Sequence, residues 1–216
     1  MGEVRQVEVP IMNPNSKSDA PNHRVAHRVS QLLSPPMIGL AVVIVFAFFS
    51  PIGTGLLVPW QSLILGTVFI AIGPVLPLST MVALGRQTFD VKNRRDRPLL
   101  YLAAILVYAA GAVVAWFFQD RCMATIAIAY VAVTSAVALI SLFWKVSAHT
   151  AGVAGPITAL IWVYGPIVAP FLLLAVVVGW ARRRQGLHTV AQVAGGIVTA
   201  IVVTAGTYWI FWPVLV

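Results

Sequence analysis

From Pro36 to Trp212 the chain is a succession of apolar runs, each broken by a short polar or Gly/Pro-rich segment. About 20 apolar residues span the hydrocarbon core of a bilayer, and there the backbone must satisfy its own hydrogen bonds, so such runs become helices. The runs read as spans over Pro36–Ser50, Leu56–Leu84, Pro98–Phe118 and Cys122–Trp144, then an apolar region from His149 to Trp180, then a last span over His188–Trp212. The expected fold is all-α: a polytopic transmembrane helix bundle of about six to seven spans, forming a single domain over residues 36–216. Residues 1–35 are polar and read as a mobile N-terminal tail, within which Val25–Leu33 has the apolar spacing of a short interfacial helix. With 60% hydrophobic and 9% charged residues, the composition excludes a soluble domain. The single cysteine, Cys122, excludes an internal disulfide.

The region from His149 to Trp180 is one long helix or two short ones. Tyr164, Gly165 and Pro166 form a strong breaker, and Pro156 and Pro170 discourage a single rod, so two are expected. Two helices there place the N-terminal tail, the Arg86–Arg97 loop, the Lys145–His149 break and the Arg182–His188 loop on one side of the membrane. Those segments hold every Lys and Arg except Arg121. Excess basic charge in a membrane protein marks cytoplasmic loops rather than nucleic-acid binding. An integral, multi-pass protein of the cytoplasmic membrane follows, with these breaks on its cytoplasmic face. The partners expected are the lipid bilayer and no nucleic acid; protein partners are not readable.

Three of these breaks carry chemistry-bearing residues. The first, Asp90–Pro98, offers Lys92, Arg94, Arg95 and Arg97 close to a helix start. The second, Lys145–Thr150, places Ser147 and His149 at the mouth of an apolar helix, where an ionisable side chain is a functional candidate. The third, Ala181–Gly196, sets Arg182, Arg183 and Arg184 ahead of His188, read as opening the last helix. Cations beside a helix N-terminus form an anion site, because the unpaired N–H groups and the helix dipole both favour negative charge. All six acidic residues lie at or before Asp120. No paired aspartates for Mg²⁺ and no histidine spacing for Zn²⁺ occur, so no metal and no cofactor are expected.

Together these motifs resemble the type 2 phosphatidic acid phosphatase superfamily, integral membrane lipid phosphatases with related haloperoxidases. The resemblance covers about Arg86 to Gly196, with the motifs in the family's order. The family's first motif is Lys, six residues, Arg-Pro. Arg97 and Pro98 match its end and Arg95 precedes them, but Asp90 stands in the lysine's register and Lys92 is two residues out. The second motif, Pro-Ser-Gly-His, reads Val146, Ser147, Ala148, His149. The third, Ser-Arg, five residues, His, three residues, Asp, reads Ala181, Arg182, then His188, then Gln192. Its spacing is kept, while the serine and the aspartate are replaced.

The resemblance implies a metal-independent phosphatase acting on a lipid phosphate or prenyl diphosphate. His188 is then the nucleophile that carries a phosphohistidine. His149 is the acid and base. Arg97, Arg95, Lys92, Ser147 and Arg182 hold the phosphate oxygens, and Gln192 orients His188. The residue types suit phosphoryl transfer, which depends on positioning and positive charge at the phosphate oxygens. A Gln192 amide accepts a hydrogen bond from an imidazole but supplies no charge to an imidazolium. The alternative is a catalytically weakened or inactive relative that binds an anionic lipid head group or supports a membrane complex. A prenyl-transferring enzyme is disfavoured, because its aspartate-rich Mg²⁺ motifs are absent.

Overall fold

Among the described residues, six helical segments are long and apolar enough to cross a membrane: His23–Phe49, Pro59–Ala83, Pro98–Phe117, Arg121–Phe143, Pro166–Arg184 and Val190–Pro213. The computed structural model describes residues 21–85 and 97–215, and among them there are helices and no strands. A further helix, α7 (Ala148–Tyr164), has 17 residues, about 25 Å at 1.5 Å per residue. It packs against α2 (Pro35–Phe49), α6 (Arg121–Phe143), α8 (Leu173–Arg184) and α9 (Val190–Leu215). Nearly every residue from Thr150 to Ala159 is buried. Its small side chains, Ala151, Ala154, Gly155 and Ala159, let those neighbours approach closely, as association between helices in lipid requires. The chain is an all-α, multi-pass membrane bundle with α7 inside it.

The outer surface has the opposite character. Leu99, Leu102, Leu106 and Val113 along one face, Ile64, Val68 and Ile72 along another, and Val198, Val202 and Trp209 along α9 are exposed. Spacings of three, four and seven residues make each set a stripe on its helix. Hydrocarbon is the solvent such stripes fit.

The break between the two short helices falls where it was expected. α7 ends at Tyr164, Gly165 takes φ +83, and Pro166–Leu172 forms a 3-10 segment leading into α8. A positive φ is accessible to glycine at no steric cost, which is why this turn needs Gly165. The sequence of Leu56–Leu84 reads as one span bent by Pro59, Pro74 and Pro77, and the structure there is less regular than that. It consists of α3 (Pro59–Gly66), a π-helical turn over Thr67–Ile72, a 3-10 turn over Gly73–Val75 and α4 (Leu76–Ala83). Pro59 sits at the first helical position and bends nothing, since its missing N–H would have been unpaired there anyway. Pro74 lies at the irregular centre.

Residues expected to belong to the tail are helical from Pro21. The helix α1 (Pro21–Leu32) covers the stretch with interfacial spacing and packs on α8. Ala26 and Ser30 are buried there, while Arg24, Val25, Arg28 and Leu32 face outward. The first span therefore begins with α1 and runs into α2 through Leu33 and Ser34.

The end of the bundle away from the basic breaks is closed by backbone and side-chain hydrogen bonds. The Leu56 N–H donates to the Phe118 carbonyl at 2.8 Å. The Tyr164 hydroxyl donates to the Phe49 carbonyl at 3.0 Å. Asp120 caps α6: its carboxylate accepts from the Met123 N–H at 3.2 Å and from the Ser62 hydroxyl. Asp120 is fully buried, and desolvation raises its pKa against the two hydrogen bonds that lower it.

Candidate active site

The polar ends of α1, α7, α8 and α9 meet around a cavity of about 630 Å³. Its polar lining includes Lys145, His149, Arg182, Gln185 and His188, joined by His27 from α1. Below this rim the walls are mainly apolar, formed by residues such as Ile70, Leu100, Ala104, Ile126 and Val133. The second and third motifs, 33 and more residues apart in the chain, therefore share one space.

The geometry of each group follows from its helix. His149 stands in the first turn of α7, whose N-cap is Ser147. Arg182 is in the last turn of α8, and only 6% of its surface is exposed. One guanidinium nitrogen, Nη1, donates to the Ser30 hydroxyl of α1 at 3.4 Å. Arg183 and Arg184 point outward. Basic side chains at a helix C-terminus complement the dipole, which accounts for those two without any ligand. Gln185 ties α1 down as well, its Nε2 donating to the Ala26 carbonyl at 3.2 Å. The α8–α9 turn, with Gly186 at φ +70, is held by the Lys145 ammonium, which donates to the Leu187 carbonyl at 2.7 Å.

His188 does not open α9. It precedes Thr189, which forms a capping box with Gln192: the Gln192 N–H donates to Thr189 Oγ1 at 3.3 Å, and the Thr189 N–H donates to Gln192 Oε1 at 3.1 Å. The same Oε1 lies 3.3 Å from His188 Nδ1. This arrangement assigns two otherwise ambiguous atoms. A backbone N–H only donates, so the amide atom it meets is the oxygen. An oxygen facing Nδ1 requires the proton on Nδ1, and in the neutral imidazole the lone pair is then on Nε2. Gln192 is thus both a helix-capping residue and the group that sets the tautomer of His188.

Ser147 takes a different place from the one its motif implied. It is fully buried, its hydroxyl accepts from the Thr150 N–H at 3.4 Å, and it lies outside the cavity lining. Its N–H donates to the Gln192 carbonyl at 3.1 Å. Its role in this structure is to cap α7 and fasten it to α9.

Of the first motif, Arg97 is the first residue of α5 (Arg97–Phe117), one turn ahead of Leu100 and Tyr101, which line the cavity. Lys92 and Arg95 lie outside the described residues, as do Asp90 and Asp96. His27, Ser30 and Lys145 also line the cavity, and the motif reading did not select them. His27 and Ser30 come from the segment read as a tail, where the apolar spacing of Val25, Val29 and Leu32 and the four-residue spacing of His23 and His27 suit a helix without marking a site. Lys145 stood next to a motif but bonds to the backbone of another.

No family model, no curated protein and no solved structure matches this chain.

Proposed function

We propose that this protein is a membrane phosphatase that hydrolyses a lipid phosphate or diphosphate without a metal ion, through a phosphohistidine intermediate. The observation that carries the reading is the convergence of His149, Arg182 and His188 on one cavity, with Gln192 holding the His188 lone pair on Nε2. In the proposed reaction Nε2 attacks phosphorus and the P–O bond to the lipid breaks. His149 delivers a proton to the departing oxygen. His149 then removes a proton from water, which attacks the phosphohistidine, releasing phosphate and restoring His188. Arg182, with Arg97, balances charge on the phosphate oxygens. The apolar walls below the rim suit a lipid tail, so the substrate is membrane-borne.

The charge asymmetry supports a site on the cytoplasmic face of the cytoplasmic membrane. That placement suits a product of cytoplasmic lipid synthesis, a prenyl diphosphate among them.

Purified protein tested against a panel of lipid phosphates is expected to release phosphate in the presence of EDTA and to lose that activity in His188→Ala. Release that survives His188→Ala would overturn the reading. One observation favours a second reading, a binder of anionic head groups. The group behind His188 is a neutral amide, which itself supplies no charge to an imidazolium or phosphohistidine. That reading expects no turnover, with lipid-phosphate binding that weakens in Arg182→Ala.

A further inference from the structure

His188 belongs to neither of the helices that flank it. α8 ends at Arg184, α9 begins at Val190, and the imidazole hangs from the short link between them. Helical hydrogen bonds therefore do not fix its backbone, and the link is held from outside. On the α8 side the Gly186 N–H donates to the Arg183 carbonyl at 2.9 Å, and the Leu187 N–H donates to the Arg182 carbonyl at 3.1 Å. With Gly186 at φ +70 these two bonds make a Schellman turn, which fixes the chain as far as the Leu187 N–H.

Two peptide groups then adjoin His188, and a side chain holds each. In the following one, the Thr189 N–H donates to Gln192 Oε1 at 3.1 Å. In the preceding one, the Leu187 carbonyl accepts from the Lys145 ammonium at 2.7 Å. The second bond is charge-assisted, which makes it the stronger kind. Lys145 reaches it from the break between α6 and α7, where Trp144 and Ser147 both take extended backbone angles. The same break is tied again at its other end, since the Ser147 N–H donates to the Gln192 carbonyl at 3.1 Å. Residues 145–147 thus lie across the link that carries His188, bonded on both sides of it.

A planar peptide group turns as a unit about the single bonds beside it, so a freed Leu187 carbonyl lets the backbone of His188 turn with it. The contact from His188 Nδ1 to Gln192 Oε1, at 3.3 Å, is already long for a hydrogen bond, and a small displacement of the ring ends it. We infer that Lys145 is a positioning residue for His188: its bond to the Leu187 carbonyl holds the imidazole where Gln192 accepts the Nδ1 proton. The inference rests on the reading of His188 as the nucleophile and adds to it the group that keeps the ring in place. Lys145 also lines the cavity. A direct contact to phosphate is therefore the competing use of the same ammonium, and the two uses differ in what they change. Positioning acts on kcat, whereas a contact made equally to substrate and transition state acts on KM.

The test uses the full chain in detergent with dodecyl phosphate as substrate. Lys145→Met keeps the length of the side chain and removes the donor. It is expected to lower kcat for phosphate release by about 10- to 100-fold, the scale of a displacement of about 1 Å at a reacting group, with KM changed by less than about twofold. Lys145→Arg keeps a cationic donor and is expected to recover most of the loss. Arg184→Met removes an outward charge at the same end of the bundle and is expected to leave both constants unchanged. A second readout needs no turnover: ring-nitrogen NMR, with His188 assigned by its disappearance in His188→Ala, reports which nitrogen carries the proton. At about pH 8.5, where imidazole is neutral, the parent is expected to carry it on Nδ1 and Lys145→Met to show both tautomers. If Lys145→Met does not fold, Lys145→Gln, a neutral donor one bond shorter, is expected to show smaller changes of the same kind. A raised KM with unchanged kcat makes Lys145 a phosphate contact and overturns its positioning role. So does a tautomer that the substitution leaves as it is in the parent, or an equal fall in kcat in Arg184→Met. Absence of phosphate release from the unaltered protein counts against the phosphatase, and the tautomer comparison then decides the role of Lys145 by itself.

Discussion

The N–H of Ser147 donates to the carbonyl of Gln192 at 3.1 Å, joining the first turn of α7 to the first turn of α9. One bond thus couples the cap of the helix that carries His149 to the residue that orients His188. The Thr150 hydroxyl reinforces the joint, donating at 3.0 Å to the Ser147 carbonyl and at 3.2 Å to the Val193 carbonyl. The two histidines are therefore positioned by one backbone junction, although 39 residues of chain separate them.

The junction requires Gly196. A Cβ there would lie 2.5 Å from the Ser147 carbonyl oxygen and 2.6 Å from Thr150 Oγ1. Alanine gains about 1 kcal/mol of helix propensity over glycine. Forcing a methyl group against backbone costs about 1–3 kcal/mol, so strain wins. Gly196→Ala is expected to lower the thermal unfolding temperature in detergent and to weaken lipid-phosphate binding. Gly206→Ala is the control on the same helix, where a Cβ meets nothing within 4 Å; it is expected to be neutral or stabilising by up to about 1 kcal/mol. Equal destabilisation by the two substitutions would show that the close approach at Gly196 is unimportant.

Gln192 predicts a gain of function. In catalytic triads, replacing the carboxylate behind histidine by an amide lowers turnover by about 10⁴-fold. Gln192→Asp makes the reverse change, one methylene shorter, and is expected to raise phosphate release by up to about that factor, and by at least tenfold. The capping box is weakened at the same time, costing about 1 kcal/mol of stability. Gln192→Ala removes both functions and is expected to lower stability and activity together. An aspartate variant with less activity than the parent would count against His188 as nucleophile.

Asp120 provides a pH test at the other end of the bundle. Its pKa is raised in the folded protein by burial, above about 3.9 in the unfolded chain. The fold therefore favours the neutral acid. The stability contributed by this group is complete below pH about 3.9 and declines as pH rises through the folded-state pKa. Asp120→Asn keeps an acceptor for the Met123 N–H and has no charge to bury. Its unfolding temperature is expected to vary less than the parent's between about pH 4 and 8. Asp120→Ala loses the cap and is expected to cost about 0.5–2 kcal/mol at every pH. Parallel pH profiles for parent and Asp120→Asn would show that the carboxyl does not titrate with folding.

The membrane architecture was legible because lipid imposes one rule over long windows. The third and fourth spans fall within a residue of the apolar runs, and Gly165–Pro166 marked the break between the two short helices. The second span was harder to read, since nothing local distinguishes a proline kink at Pro74 from the π-helical turn that precedes it. The spacing over Val25–Leu33 marked a helix in the segment that became α1, but not its docked face, which rests on the small residues Ala26 and Ser30 while Val25 and Leu32 are exposed. Motif spacing selected His149, Arg182 and His188, which line one cavity, and Gln192, which lies behind His188. It did not distinguish Ser147 as a helix cap from Ser147 as a ligand of phosphate, since both uses place a serine just before a helix. His27 stands four residues from His23, a helical spacing that reads from the sequence as solvated tail histidines, because its proximity to the others is purely tertiary.

Membrane orientation decides which leaflet supplies the cavity. Ile52 and Arg184 are exposed at opposite ends of the bundle, and the native Cys122 is buried, so single cysteines at 52 and 184 can be labelled against a silent background. The segment from Ser50 to Val58 has no Lys or Arg, whereas Arg182–Arg184 adjoins the cavity. The positive-inside rule then expects Ile52→Cys to react with an impermeant thiol reagent in intact cells, and Arg184→Cys to react only once the membrane is opened. The reverse pattern would place the cavity on the outer face. Arginines held at the rim by phosphate binding would then have biased the charge count, and the substrate would be drawn from the outer leaflet, with the proposed chemistry at His188 unchanged.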